Sequence, residues 1–194
     1  KPAVMIKFRL TDIRFTFDFT FFALFAVLSL FRFELAITLI SACLIHEIGH
    51  IIAIYSFNGK ISDVHFSALG IKIIPKKSIY LPYCKEIIIL LSGPFFNFAF
   101  FFISMIISSS LIEFAYLNLA LGVFNLLPFS RLDGGSILLI ILENIFPEKN
   151  THQIIKIPAI VILVCNIAYI IIIRDINIIN IVFILYPISE ITDK

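Results

Sequence analysis

Between Phe33 and Phe57 the chain is apolar for long enough to cross a bilayer, and His46-Glu47-Ile48-Gly49-His50 stands inside that run. This stretch constrains the fold more than any other. In lipid only a helix satisfies its own backbone within one segment. Ionisable groups on such a helix are costly, face the protein interior and serve a function. Positions i and i+4 share a helix face, so His46 and His50 can address one ion, with Glu47 about 100° round the axis. Zinc suits imidazole ligands, and a catalytic zinc keeps one position for water.

The rest of the composition agrees with a membrane chain. Of 194 residues 60% are hydrophobic and 14% charged, with mean hydropathy +1.07, which excludes an ordinary soluble domain. A net charge of +2 without a basic run or aromatic-basic interleaving argues against a nucleic-acid partner. Cys43, Cys84 and Cys165 are too widely spaced for a disulfide framework and read as small apolar residues.

The expected fold is an all-α polytopic membrane protein with about six transmembrane helices, at roughly 15–31, 33–57, 86–110, 114–127, 154–173 and 176–188. The fourth and sixth are short. Alternation at Ile6-Lys7-Phe8-Arg9-Leu10 fits a strand. Two alternating runs about Gly70, within 59–82, predict a short membrane-associated β-hairpin between the second and third helices. The chain reads as one domain, 1–194, with a catalytic core at about 33–146 and extra transmembrane helices over 147–194. If the N-terminus is cytosolic, every Lys and Arg except Arg32 and Arg174 falls on the cytosolic side. That side then holds 59–82 and the surroundings of Asp133.

A hydrolytic zinc usually takes three protein ligands. The extended pattern of soluble HExxH enzymes wants Gly at 53 and His at 56, where this chain has Ala53 and Ser56, and no Glu occurs between Glu47 and Glu86. Asp133 is the best remaining candidate. It follows a break in the apolar pattern and precedes Gly134-Gly135, although an Asp there can also cap the helix that follows. Cys43, three residues before His46, reads as a buried thiol. Ser92-Gly93-Pro94 with Asn97 reads as a helix kink followed by an amide able to serve freed backbone groups.

Taken in order, these residues resemble the site-2 protease family of intramembrane zinc metalloproteases, peptidase family M50, and most closely its sporulation factor-processing branch. The matching motifs are His46-Glu47-Ile48-Gly49-His50, then Ser92-Gly93-Pro94 with Asn97, then Asn125, Pro128 and Leu132-Asp133-Gly134-Gly135. They span about 33–146. The resemblance implies one Zn2+ per chain held by His46, His50 and Asp133, Glu47 as general base, and Asn125 and Asn97 in substrate binding. It implies a zinc-dependent endopeptidase cutting in or near a transmembrane segment of a membrane-associated protein. The bilayer and a regulatory membrane protein are further expected partners. It implies an integral protein of the bacterial cell membrane whose active site opens to the cytosol, here without the CBS or PDZ domain of many relatives. One departure stands out: the sporulation branch has a second proline where this chain has Arg131, which predicts a looser loop and a cation beside Asp133. The alternatives are a metal-binding membrane transporter or channel, and an inactive homologue that binds membrane segments. Transport has no special need of Glu47 beside the histidine pair.

Overall fold

In a computed structural model, residues 5–10, 12–67, 70–76, 81–146, 151–173 and 177–192 are described. The chain divides into two units, Lys1–Phe124 and Asn125–Lys194.

The first unit opens with strands β1 (Met5–Leu10) and β2 (Ile13–Asp18), paired antiparallel. Strand β3 (Ile61–Ser67) joins β2 in parallel, and β4 (Gly70–Pro75) returns antiparallel to β3, giving the order β1-β2-β3-β4. Gly70 sits at φ +120°, a conformation open to glycine. The expected hairpin is therefore present, but as half of a four-stranded sheet. Residues 15–18, expected to begin the first spanning helix, belong to β2. Their apolar character hides a period of two, in which Ile13 and Phe15 pack against the buried cluster of Ile54, Ile61 and Val64.

Helix α1 (Phe19–Ser56) follows directly and breaks at Arg32, whose φ of −152° and ψ of 96° are not helical. The two halves fall where the first two spans were expected, and of them only Arg32–Ser56 is long and apolar enough to cross a membrane. Helix α2 (Tyr83–Ile107) leads through a 3-10 turn at Ser109–Leu111 into α3 (Ile112–Asn125). Arg32 reaches Glu113 at 3.0 Å, which brings the α1 bend and the start of α3 to one end. Both side chains are exposed, so the pair locates the turn more than it stabilises it.

Helix α2 is apolar outside and polar inside. Ile88, Leu91, Phe95, Phe102 and Ile106 are exposed, whereas Gly93, Asn97 and Ser104 are buried. That suits a helix wrapped in lipid. Gly49 lets the α1 and α2 backbones touch: a Cβ there would lie 2.5 Å from the Ser92 carbonyl oxygen.

The second unit holds α4 (Asp133–Ile145), α5 (Thr151–Ile154), α6 (Lys156–Ile173) and α7 (Ile178–Thr192). Helices α6 and α7 are joined by Asn166 Nδ2 donating to Asn180 O at 2.9 Å and Lys156 Nζ to Ile191 O at 3.1 Å. Among the described residues three helices are long and apolar enough to cross a membrane, Arg32–Ser56, Tyr83–Ile107 and Lys156–Ile173. Against the expected six, Phe19–Leu30 and Asn180–Thr192 are apolar but shorter, and α3 has 14 residues. Residue 147, where the extra helices were expected to begin, and Arg174, expected away from the cytosolic side, lie outside the described residues.

Candidate metal centre

His46 and His50 lie on one face of α1, 5% and 8% exposed. Counted from Ser56 they sit about 15 and 9 Å into the helix at 1.5 Å per residue. Each ring has a fixed partner on Nδ1. His46 Nδ1 lies 2.7 Å from Asn97 Oδ1, and His50 Nδ1 lies 2.7 Å from the Ile89 carbonyl oxygen. Both partners can only accept, so each Nδ1 carries a proton, and in the neutral ring each Nε2 then has a lone pair.

The two Nε2 atoms are 3.1 Å apart. In these tautomers neither has a hydrogen to give the other, and two lone pairs facing across that gap repel unless a cation lies between them. Tetrahedral zinc with Zn–N bonds of about 2.0–2.1 Å would separate two nitrogens by about 3.3 Å. The pair therefore fits a metal much better than it fits a hydrogen bond.

Helix α2 supplies the support. Pro94 lacks an amide hydrogen and crowds the preceding turn. In that turn the Ile89 carbonyl takes both His50 and the Ser92 hydroxyl. Gly93 leaves room for the rings, since a Cβ there would come within 2.5 Å of His50 Nε2 and 2.7 Å of His46 Cε1. Asn97 is fully buried and spends both amide hydrogens within the protein, on Ala42 O at 3.1 Å and Asn118 Oδ1 at 3.0 Å. Asn118 in turn donates to Phe114 O at 2.9 Å, which fixes the orientation of both amides. The sequence reading passed over Asn118, a lone fully buried amide in the apolar run of α3.

Losing a partner of this kind typically costs ten- to a hundredfold in metal affinity. Asn97→Leu should thus weaken zinc binding by about 10–100-fold, read by competition with a chromophoric chelator, while the helices stay folded by circular dichroism.

Glu47 is half-buried on α1. Cys43 lines an apolar cleft with Phe21, Leu24 and Ile40, in keeping with its reading as an apolar thiol. His65 lies on β3, paired in register with Lys72.

In the second unit, Asp133 is the first residue of α4, and Leu132 holds the N-cap position. Its carboxylate is thus beyond the cap, in the first turn, where the helix dipole favours an anion. Gly134 and Gly135 are required by packing, because a Cβ on either would run into the Leu126 or Phe129 carbonyl. Asn125 ends α3, half-buried.

The loop before Asp133 is held by α7. Phe129 is fully buried with its ring 5.0 Å from that of Tyr186. Ser130 N donates to Glu190 Oε1 at 3.1 Å, and Arg131 Nη1 donates to Ser189 Oγ at 3.3 Å. The looseness expected from Arg131 is offset by these contacts, which no local sequence pattern announces.

The model for peptidase family M50 matches residues 107–166, the stretch that carries Asn125 and Asp133. No curated protein matches the chain in sequence. Among solved structures the chain is similar to a site-2 protease from Methanocaldococcus jannaschii, at 23% identity and a TM-score of 0.68 over 98% of this chain and 97% of that one. That likeness establishes a shared fold. The family model thus falls on the segment that carries Asp133, and the paired imidazoles of α1 lie in a chain that shares the fold of that site-2 protease.

Proposed function

We propose that this integral membrane protein is a zinc-dependent intramembrane endopeptidase, hydrolysing a peptide bond in or near a transmembrane segment of a membrane-associated protein. The observation that carries this reading is the pair of proton-free Nε2 atoms 3.1 Å apart within an apolar helix. His46 and His50 of α1 supply two ligands, and Asp133 is the third that the sequence motifs imply. Two imidazole nitrogens and one carboxylate oxygen are a donor set that zinc accepts in hydrolases.

Zinc held by these residues would supply Lewis acidity, polarising a peptide carbonyl and lowering the pKa of water towards neutrality. Glu47, beside His46 on α1, takes the proton from the attacking water and returns it to the leaving amine. Asn97 positions His46. Asn125, at the end of α3, orients the substrate. A helical substrate must unwind before its carbonyl can be reached. In the order β1-β2-β3-β4 the strand β4 is an edge, to which an unwound segment can add through main-chain hydrogen bonds. With the N-terminus in the cytosol, the distribution of Lys and Arg supports an opening of the site on the cytosolic side.

The test is cleavage of a panel of single-span substrates by purified protein in liposomes. Cleavage that stops on chelation and returns with zinc supports the proposal. Metal flux across the bilayer without any cleavage contradicts it.

A further inference from the structure

Away from the metal centre, the register of the sheet sorts its side chains by charge. Ile6 pairs with Phe17 and Phe8 with Phe15 on one face, whereas Lys7 pairs with Thr16 and Arg9 with Arg14 on the other. The apolar face continues through Val64 and Phe66 of β3 and packs about Ile54 of α1. The other face is cationic. Where β1 turns into β2 and β3 begins, an open cleft of about 570 Å³ is lined by Lys7, Arg9, Arg14, Lys60 and Lys76, with Asp12 as the one carboxylate among the described residues that line it. Arg14 is engaged by Asp63 at 2.8 Å and Arg9 lies 3.5 Å from Asp12. The charges of Lys7, Lys60 and Lys76 are left without a counter-charge among the groups lining the cleft.

Strand β1 is an edge of the sheet, so the apolar residues of its far face lie round that edge from the cations: Phe8 reaches the cleft, and Ile6, Phe8 and Leu10 are 54%, 48% and 63% exposed along β1. The sheet is also tied to the level of the headgroups. Strand β2 runs straight into α1, and the β3–β4 hairpin joins the end of the span Arg32–Ser56 to the span beginning at Tyr83. Exposed cations beside exposed apolar residues at the end of spanning helices match a phospholipid with an anionic headgroup.

We propose that the cleft binds the phosphate of an anionic phospholipid from the membrane in which the protein sits, with Ile6, Phe8 and Leu10 against its acyl chains. The lysines supply the field, and each cation near the surface strengthens attachment about fivefold. None of these residues belongs to the metal centre, so the site stands or falls separately from catalysis.

The test places the protein in nanodiscs of phosphatidylcholine mixed with phosphatidylglycerol and counts the lipids it retains by native mass spectrometry. The wild type should retain phosphatidylglycerol over phosphatidylcholine. Lys7→Gln, Lys60→Gln and Lys76→Gln together should lower that preference on the order of a hundredfold, whereas arginine at the same three positions should keep it. Equal preference in the wild type and the glutamine variant overturns the proposal. Displacement of the lipid by inorganic phosphate assigns the cleft to a soluble anion and overturns it too. Should the glutamine variant not fold, the wild type decides alone: retention must fall as salt is raised, and retention indifferent to salt contradicts the proposal.

Discussion

Glu47→Gln should abolish cleavage and leave bound zinc in place. Glutamine keeps the size and shape of the half-buried side chain but cannot accept a proton from water. General-base catalysis contributes about 10²–10⁴-fold, so turnover should fall by at least two orders of magnitude. The metal should be retained because the ligands are untouched. His46 keeps its Nδ1 contact with Asn97 and His50 keeps its contact with the Ile89 carbonyl. The two readouts, cleavage of a single-span substrate and zinc per chain, must therefore separate. Loss of both together would make Glu47 structural, and activity retained in Glu47→Gln would move the general base elsewhere.

Asp133→Ala should remove zinc and activity together. Structural zinc contributes about 10–16 kcal/mol over four ligands, so one carboxylate is worth on the order of a hundred- to a thousandfold in affinity. The fold should survive, because the N-cap of α4 is Leu132 and the tight approach is made by Gly134 and Gly135. Asp133→Ser separates ligand from cap. Serine caps helices well, so if Asp133 mainly capped α4, the serine variant would keep zinc and cleavage. The expected outcome is that both variants lose zinc to a competing chelator while circular dichroism of the metal-free protein is unchanged.

The half of α1 that carries the two histidines was legible because its signal is local. His46, Glu47 and His50 lie within one and a half turns, and the apolar residues around them leave little alternative to a spanning helix. The β3–β4 hairpin was legible for the same reason, through alternation on both sides of Gly70. Strand β2 was not, because Phe15, Phe17 and the Phe-rich start of α1 merge into one apolar run in which a change of period is hard to see. Nor was the sheet itself, since the parallel pairing of β2 with β3 joins segments more than 40 residues apart.

The roles of Ser92, Gly93, Pro94 and Asn97 were visible only as a kink and an amide. Their relation to the histidines is a tertiary fact, set by the close crossing at Gly49, and Asn118 becomes meaningful only once Asn97 is seen to need an acceptor. The loop before Asp133 teaches the same lesson. Arg131 in place of proline predicts looseness, but Tyr186, Ser189 and Glu190, nearly sixty residues later, hold that loop.

Everything said of the chemistry depends on what stands between His46 and His50. X-ray absorption at the zinc edge, on protein purified with zinc and quantified for metal per chain, reads this directly. One zinc per chain with two imidazole nitrogens and carboxylate oxygen at about 2.0–2.2 Å is the predicted result. A chain that binds no zinc, or binds it with an unaltered spectrum after His46→Ala and His50→Ala, would contradict the account.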